Sequence, residues 1–184
     1  MNRGVYAACA FAVLSCVPAQ ALAQAHASNI ENAGTYVAIA LPVVAGGITA
    51  WKDDWRGTEQ LFIDTGLTVG TALLLKKLVR ERRPDHSDFE SFPSDTSALA
   101  FAPAQFLWDR YGWRYGVPAY AAAAFVGYSR VDAKKHHFWD VLASAAISFG
   151  YSKLITTEYH PSKSLYTNIE ASPDGVFASL NYRW

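Results

Sequence analysis

The chain has 184 residues, of which 51% are hydrophobic and 17% charged, and its 16 basic and 16 acidic side chains give a formal net charge of zero. This length and apolar content are typical of one domain with a substantial core, and they exclude intrinsic disorder, which requires low hydrophobicity and high net charge. Neutrality also argues against a general nucleic-acid binder, because such a protein needs a sequence-independent attraction to phosphates.

The first segment is typical of a targeting sequence. Arg3 precedes an apolar run that contains Cys9 and Cys16, and an A-x-A site ends at Ala23. This order matches a secretory signal peptide, so residues 1–23 are interpreted as a signal peptide or as a first apolar helix. Cleavage after Ala23 would leave a chain without cysteine, which excludes disulfides, thiolate catalysis and cysteine-bound zinc.

Five apolar segments follow a polar stretch, at residues 36–51, 61–75, 96–107, 117–131 and 137–155. Their alanine and leucine content favours helix over strand, and charged residues, glycine or proline separate them. We therefore predict an all-α core over residues 24–160, a bundle of five helices, or six if the first segment is counted.

Two settings for this bundle remain open. The segments are mostly shorter than the roughly 20 apolar residues of a membrane-spanning helix. They also include Asp64 and Lys153, and the mean hydropathy is only +0.04. The helices either span a membrane, with polar ends facing a hydrated site, or form a soluble bundle. We take the membrane setting as the main hypothesis.

The C-terminal segment, residues 161–184, differs in pattern. Two runs of alternating polarity, 165–171 and 176–182, flank the sequence Ser-Pro-Asp-Gly. Alternation on both sides of a turn sequence predicts a β-hairpin. It carries no recognisable chemistry, and we interpret it as a structural appendage or docking element.

Three polar clusters interrupt the apolar pattern at helix boundaries. The first holds five cations within eight residues, Lys76, Lys77, Arg80, Arg82 and Arg83. Taken alone it is a solvated helix end whose charges complement the helix dipole. The second cluster, residues 91–97, contains ordinary N-cap residues, yet a helix N-terminus with free N–H groups and a hydroxyl can also bind an anion.

The third cluster contains a histidine and a carboxylate. His136 and Asp140 stand four residues apart at the start of the last predicted helix, so they should share a face, with the carboxylate in reach of an imidazole N–H. Such a contact fixes the tautomer and prepares the other nitrogen to attack phosphorus. His137 should point about 100° away and is interpreted as interfacial. An isolated histidine and aspartate in this arrangement more often form a structural hydrogen bond than a catalytic one. Here, however, Arg130 brings a second helix end to the same region.

Together the clusters resemble the three-part signature of the type 2 phosphatidic acid phosphatase (PAP2) superfamily, which vanadium haloperoxidases share. The resemblance covers about residues 36–157 and rests on Lys76-x6-Arg83-Pro84, Pro93-Ser94-Asp95-Thr96 and Ser129-Arg130-x5-His136-x3-Asp140. The first and third parts match at every defining position. The second departs, since the family usually has glycine and histidine where this chain has Asp95 and Thr96.

The resemblance implies a metal-independent phosphatase without a cofactor. By this comparison His136 attacks phosphorus to form a phosphohistidine, and Asp140 steadies the imidazolium. The phosphate oxygens would be neutralised by the side chains of Lys76, Arg83, Ser94 and Arg130 and by the backbone N–H of Asp95, the electrostatic role that dominates phosphoryl transfer.

The departure at Thr96 affects the leaving group. The family's histidine at this place resembles a general acid, and a threonine hydroxyl has no suitable pKa for that role. Losing a general acid costs about 10²- to 10⁴-fold in rate, and less when the leaving group is good. His86, Asp85 or Asp95 could substitute in another geometry, and the sequence leaves this open.

With Arg3 in the cytoplasm of a bacterial cell, successive spans would place all three clusters on the outer face of the inner membrane. The loops that carry the clusters are nevertheless more basic than the loops on the opposite side, whereas basic loops usually lie in the cytoplasm. This conflict would not arise for a soluble periplasmic protein. The main hypothesis is a lipid phosphate or diphosphate phosphatase, with membrane and lipid phosphate as partners and no nucleic acid. Alternatives are a soluble periplasmic acid phosphatase, a degenerate non-catalytic phosphate or lipid binder, and a vanadate-dependent haloperoxidase.

Overall fold

The computed structural model describes residues 19–160, 164–172 and 175–183. It contains five helices, α1 (Ala19–Trp51), α2 (Trp55–Leu78), α3 (Asp95–Tyr111), α4 (Trp113–Asp132) and α5 (Phe138–Ile155), followed by strands β1 (Ser164–Ser172) and β2 (Gly175–Arg183). The strands pair antiparallel, from Ser164 with Arg183 to Ser172 with Gly175. The predicted all-α bundle with a terminal hairpin is confirmed. Most of the predicted signal peptide lies outside the described residues, and the domain boundary near residue 23 stays a prediction.

Most of the helices extend beyond the apolar segments that predicted them. Helix α1 continues through the polar stretch before residue 36 and has 33 residues, and α2 has 24. The ends of α2 are polar and not apolar. At the N-terminus, Asp54 accepts a hydrogen bond from the Gly57 backbone N–H at 2.9 Å and so satisfies one of the free groups of the first turn. In the last turn, the charges of Lys76 and Lys77 complement the helix dipole.

Helix α3 is the centre of the bundle and packs against all four other helices. It can do so because alanine recurs along it, with Ala98, Ala100, Ala102 and Ala104 fully buried. Larger core side chains fill the space around it, among them Phe106 on α3 and Val126 on α4. The neighbouring helix ends are thereby held close together, and the three polar clusters lie at those ends.

The distribution of polar and apolar side chains is the reverse of that in most soluble proteins. Apolar side chains cover the outside, such as Phe62 (73% exposed), Trp139 (70%) and Leu154 (84%). Small polar side chains are fully buried between helices, including Thr49, Thr68, Ser144, Ser148 and Ser152. Large exposed apolar patches mark interaction surfaces, and small or hydroxyl-bearing residues are typical of helix contacts within lipid. The outer surface of the bundle is therefore suited to contact with lipid.

Among the described residues, one helical segment, Ser28–Trp51, is long and apolar enough by length and composition to cross a membrane. By itself a single segment of this kind says little, because core helices and signal sequences pass the same test. The exposed apolar side chains on the remaining helices carry more weight.

The opposite end of the bundle is closed by a buried ion pair. Arg110, at the end of α3, donates to both carboxylate oxygens of Asp54, at 2.5 and 2.8 Å, and Tyr111 donates to the same carboxylate at 2.7 Å. The two charges neutralise one another, so Arg110 has a structural role at this end.

Candidate active site

The first cluster begins at the C-terminal end of α2. Lys76 is buried, and its ammonium group donates a hydrogen bond to the Asp95 carboxylate at 2.6 Å. Arg83 lies in the loop that follows, where its Nε donates to the Asp88 carboxylate at 2.7 Å. The remaining cations, Lys77, Arg80 and Arg82, are exposed and form no ion pair with another described residue.

The second cluster begins helix α3. Ser94 is the N-cap, and its Oγ accepts a hydrogen bond from the Ser97 backbone N–H at 3.3 Å. Its backbone N–H donates to the Asp140 backbone carbonyl at 3.3 Å, and its carbonyl accepts from the Ser144 hydroxyl at 2.7 Å. These bonds join the second cluster to the start of α5, and the bond between Ser144 and Ser94 spans 50 positions of sequence.

Arg130 lies in the last turn of α4 and is almost fully buried. Its Nε donates to the Ser129 hydroxyl at 3.2 Å, and its guanidinium also contacts Glu31 of α1, through the backbone carbonyl and, at 3.8 Å, the carboxylate. Glu31 is a residue of this site that the sequence reasoning missed, since nothing in the three clusters points to α1. The backbone carbonyl of Arg130 accepts a hydrogen bond from the backbone N–H of His136 at 3.3 Å.

Helix α1 approaches this arginine closely because it has glycine at position 34. A Cβ atom at Gly34 would overlap the Ser129 hydroxyl and lie 3.1 Å from Arg130 Nη2. Gly34 therefore allows α1 to pack directly against the last turn of α4, which helps to orient the guanidinium.

The Gly34→Ala variant is expected to displace Arg130 and to lower kcat/KM for phosphate release by about 10- to 100-fold, the scale on which a shift of about 1 Å acts in an active site. Gly46→Ala is the matched control on the same helix, because nothing lies within 4 Å of a Cβ atom there. Steady-state kinetics of both variants against the wild type provide the measurement. Equal activities of the two variants would contradict this role of Gly34.

His136 is buried but lies outside the last helix, which begins at Phe138 with His137 as its N-cap. His136 Nδ1 is 2.7 Å from the Ser91 carbonyl oxygen and 3.7 Å from the nearer Asp140 oxygen, Oδ2. The expectation that the two residues share a helical face and form a direct hydrogen bond is therefore wrong in its geometry. A carbonyl can only accept, so Nδ1 carries the proton and Nε2 is left with its lone pair.

The Asp140 carboxylate has other partners. Its Oδ2 accepts from the Ser91 hydroxyl at 2.5 Å and from the His137 backbone N–H at 2.7 Å. The second bond caps the first turn of α5, which explains why the carboxylate is drawn towards the helix end and away from His136. Asp140 remains close enough for its charge to act on the imidazole.

His137 does not point away from the cluster. Its Nδ1 lies 3.6 Å from Asp140 Oδ2 and 3.5 Å from Glu81 Oε1. Among the described residues these three side chains form the one group whose ligand atoms could together hold a metal ion. Glu81 and His137 are each 40% exposed, and the arrangement is equally explained by ion pairing, so we assign no metal to it.

The loop between α2 and α3 is attached to the loop that carries His136. Asp85 accepts from Lys135 Nζ at 2.9 Å, and its backbone N–H donates to the Lys134 carbonyl at 3.1 Å. Hydrogen bonds from Ser87 and Lys135 hold the pKa of Asp85 well below its usual range. These contacts favour the ionised form of Asp85, which is the wrong state for a general acid, and a role in place of the family histidine stays a prediction.

Thr96 faces a cleft between α1, α2 and α3. The cleft has a volume of about 270 Å³, and Asp95 also lines it, together with Thr35, Ala38, Ile39, Val69, Leu73 and Leu99. Position 96 thus adjoins an apolar space that leads away from the charged cluster. A second cavity, of about 480 Å³, is lined by Lys76, Lys77, Arg80, Asp88, Phe89 and Glu90.

The structure thus brings Lys76, Ser94, Asp95, Arg130, His136 and Asp140 together through the bonds described above. Arg130 and His136 both lie close enough to the Asp95 carboxylate for an electrostatic interaction with it. The Arg83 side chain is engaged with Asp88, and its contact with phosphate stays a prediction, as do the roles assigned to the other residues.

Comparison with known proteins gives concordant results. A family model described as the PAP2 superfamily matches residues 58–163, more than half of the chain. Lipid A 4'-phosphatase of Helicobacter pylori is 28% identical over 159 residues, which cover 78% of this chain and 80% of that protein. Lipid A 1-phosphatase of Porphyromonas gingivalis is 41% identical over 68 residues, 35% of this chain and 15% of that protein.

A solved structure has the same fold. The crystal structure of Aquifex aeolicus LpxE matches with a TM-score of 0.58 and 22% sequence identity, covering 72% of this chain and 84% of that one. The resemblance inferred from the three clusters is confirmed, and with it the predicted class of enzyme, a phosphoric ester hydrolase.

Proposed function

Because the chain belongs to the PAP2 superfamily, we propose that it hydrolyses a lipid phosphate or diphosphate at a membrane surface by way of a phosphohistidine intermediate. The observation that carries this proposal is the held tautomer of His136, with Nδ1 bonded to the Ser91 carbonyl at 2.7 Å and Nε2 available as a nucleophile. Arg130 and Lys76 supply positive charge from two other helix ends.

In the first step, His136 Nε2 attacks phosphorus and the bond between phosphorus and the lipid oxygen breaks. The leaving oxygen takes a proton from solvent, which the attacking water returns in the second step, and the phosphorylated imidazole becomes cationic. The Ser91 carbonyl and the Asp140 carboxylate, 3.7 Å from Nδ1, stabilise this positive charge. In the second step, water attacks phosphorus, the N–P bond breaks, and inorganic phosphate leaves with the imidazole restored.

The cations neutralise the oxygens of the transferring phosphoryl group. Arginine is suited to this role because its planar fork can bind two oxygens at once. The Arg130 guanidinium is oriented by Ser129 and Glu31 before substrate arrives, so little reorganisation is required. Lys76 is held by Asp95 at 2.6 Å, and substrate phosphate would compete with that carboxylate for the ammonium group.

A lipid substrate is supported by the surfaces around the site. The 270 Å³ cleft begins at Asp95 and Thr96 and continues between apolar side chains of three helices, so an acyl chain could lie in it while the phosphate stays at the cations. The exposed apolar exterior of the bundle supports a membrane setting over a soluble periplasmic one. The outer face of the inner membrane remains our proposal for the location of the site.

The names of the relatives suggest a specific lipid. Both curated relatives are called lipid A phosphatases, so we include lipid A among the proposed substrates. The second cavity is lined by Lys77 and Arg80, which form no ion pair with another described residue, and by the carboxylates of Asp88 and Glu90. We propose that the two cations contact a further negative charge of the headgroup beside the reacting phosphate.

The test is phosphate release by detergent-solubilised protein in the presence of a metal chelator. The substrate panel is lipid A, phosphatidic acid, phosphatidylglycerophosphate, a prenyl diphosphate and an aryl phosphate. We expect release from at least one lipid at a higher kcat/KM than from the soluble aryl ester. Preference for the soluble ester would favour the periplasmic acid phosphatase. Binding without release from any substrate would favour a non-catalytic phosphate or lipid binder, an alternative suggested by threonine at position 96, where the family usually has histidine.

A further inference from the structure

We propose that Ser91 is the positioning residue for the nucleophilic histidine, an inference that rests on the proposed phosphatase function. Ser91 is fully buried in the loop before α3. Its backbone carbonyl accepts from His136 Nδ1 at 2.7 Å, and its hydroxyl donates to Asp140 Oδ2 at 2.5 Å. One residue thus contacts both members of the pair that the sequence signature predicts to act together.

The distances assign the direct contact to Ser91. The closest carboxylate oxygen of Asp140 is 3.7 Å from His136 Nδ1, which is too long for a hydrogen bond. That oxygen already accepts two hydrogen bonds, from the Ser91 hydroxyl and from the His137 backbone N–H. Asp140 therefore acts on His136 in part through Ser91, by holding the serine whose carbonyl orients the imidazole.

The Ser91 main chain is held from the other side as well. Its N–H donates to the Glu81 carbonyl at 3.0 Å, in the loop that carries Arg83. The residue is therefore fixed by the first cluster through its N–H and by the third cluster through its hydroxyl. Removal of the hydroxyl leaves the carbonyl in place chemically but frees it to move, and the imidazole loses its fixed orientation towards phosphorus.

The Ser91→Ala variant tests this role. We expect kcat to fall by about 10- to 100-fold, the range seen when partners that orient a functional histidine are removed. KM and the inhibition constant of inorganic phosphate should change little, because Ser91 contacts none of the cations proposed to bind phosphate. Ser91→Thr keeps the hydroxyl and should recover most of the lost kcat.

Ser148→Ala is the matched control, since Ser148 is equally buried and its hydroxyl also donates a hydrogen bond, in this case to the Ser144 backbone carbonyl at 2.8 Å, but it lies about two turns of α5 from Asp140. Its kcat should equal that of the wild type. Wild-type kcat in the Ser91→Ala protein would overturn the positioning role and leave the phosphatase function intact. The role would also be overturned if Ser91→Ala lost inhibition by phosphate together with kcat. The same holds if Ser91→Thr were as slow as Ser91→Ala while its inhibition by phosphate stayed normal. A wild-type protein inert towards every substrate would instead overturn the proposed function itself.

Discussion

Replacement of His136 by alanine is expected to abolish phosphate release, with a fall in kcat of about 10⁵- to 10⁶-fold, the scale on which loss of a nucleophile acts. Among the described residues, His136 is the imidazole whose hydrogen bond to the Ser91 carbonyl leaves Nε2 available, so we expect no second nucleophile to replace it. Rapid acid quench with radiolabelled substrate should trap a phosphorylated protein in the wild type and none in the variant. Full activity of His136→Ala would reject the covalent mechanism.

His137→Ala is the control for this experiment. The His137 side chain lies near Asp140, but the hydrogen bond that caps α5 comes from the His137 backbone N–H, which alanine keeps. We therefore expect this variant to retain most of the wild-type kcat and the phosphoenzyme signal. A loss of kcat equal to that of His136→Ala would show that the nucleophile cannot be assigned to His136 alone.

Introduction of histidine at position 96 is expected to raise turnover of alkyl phosphate monoesters by about 10- to 1000-fold, because it restores a group able to protonate a poor leaving oxygen. Diphosphate and nitrophenyl substrates, whose leaving groups need no proton, should change little. The cleft beside Thr96 provides space for the ring. The measurement is the dependence of kcat/KM on leaving-group pKa, which should be steep in the wild type and shallow in the variant.

Thr35→His provides the matched control, since Thr35 lines the same cleft from α1. It places an imidazole in this space without restoring the family position, so alkyl ester turnover should not rise. If kcat/KM of the wild type did not depend on leaving-group pKa, another residue would have to protonate the leaving oxygen. Asp85 and Asp95 are both held in their ionised forms by lysine partners, Lys135 and Lys76, so His86 is the first of the three candidates to test.

The sequence by itself determined the helical core and the class of enzyme. Apolar segments rich in alanine and leucine specify helices locally, and the order and spacing of Lys76, Arg83, Arg130, His136 and Asp140 are enough to mark the family. The terminal hairpin was predictable for the same reason, since alternation and turn residues are local signals.

Only the tertiary structure decided which atoms meet. Helix α5 starts at Phe138, where Asp140 caps its first turn. His136 therefore lies two residues before the helix, and the argument from helical spacing does not apply to it. The Ser91 carbonyl replaced the carboxylate as the direct partner of the imidazole, across 45 positions of sequence. Contacts of this range depend on how α3 and α5 pack, and no local pattern encodes them. The same holds for Gly34, whose missing side chain matters only because α1 passes beside Arg130.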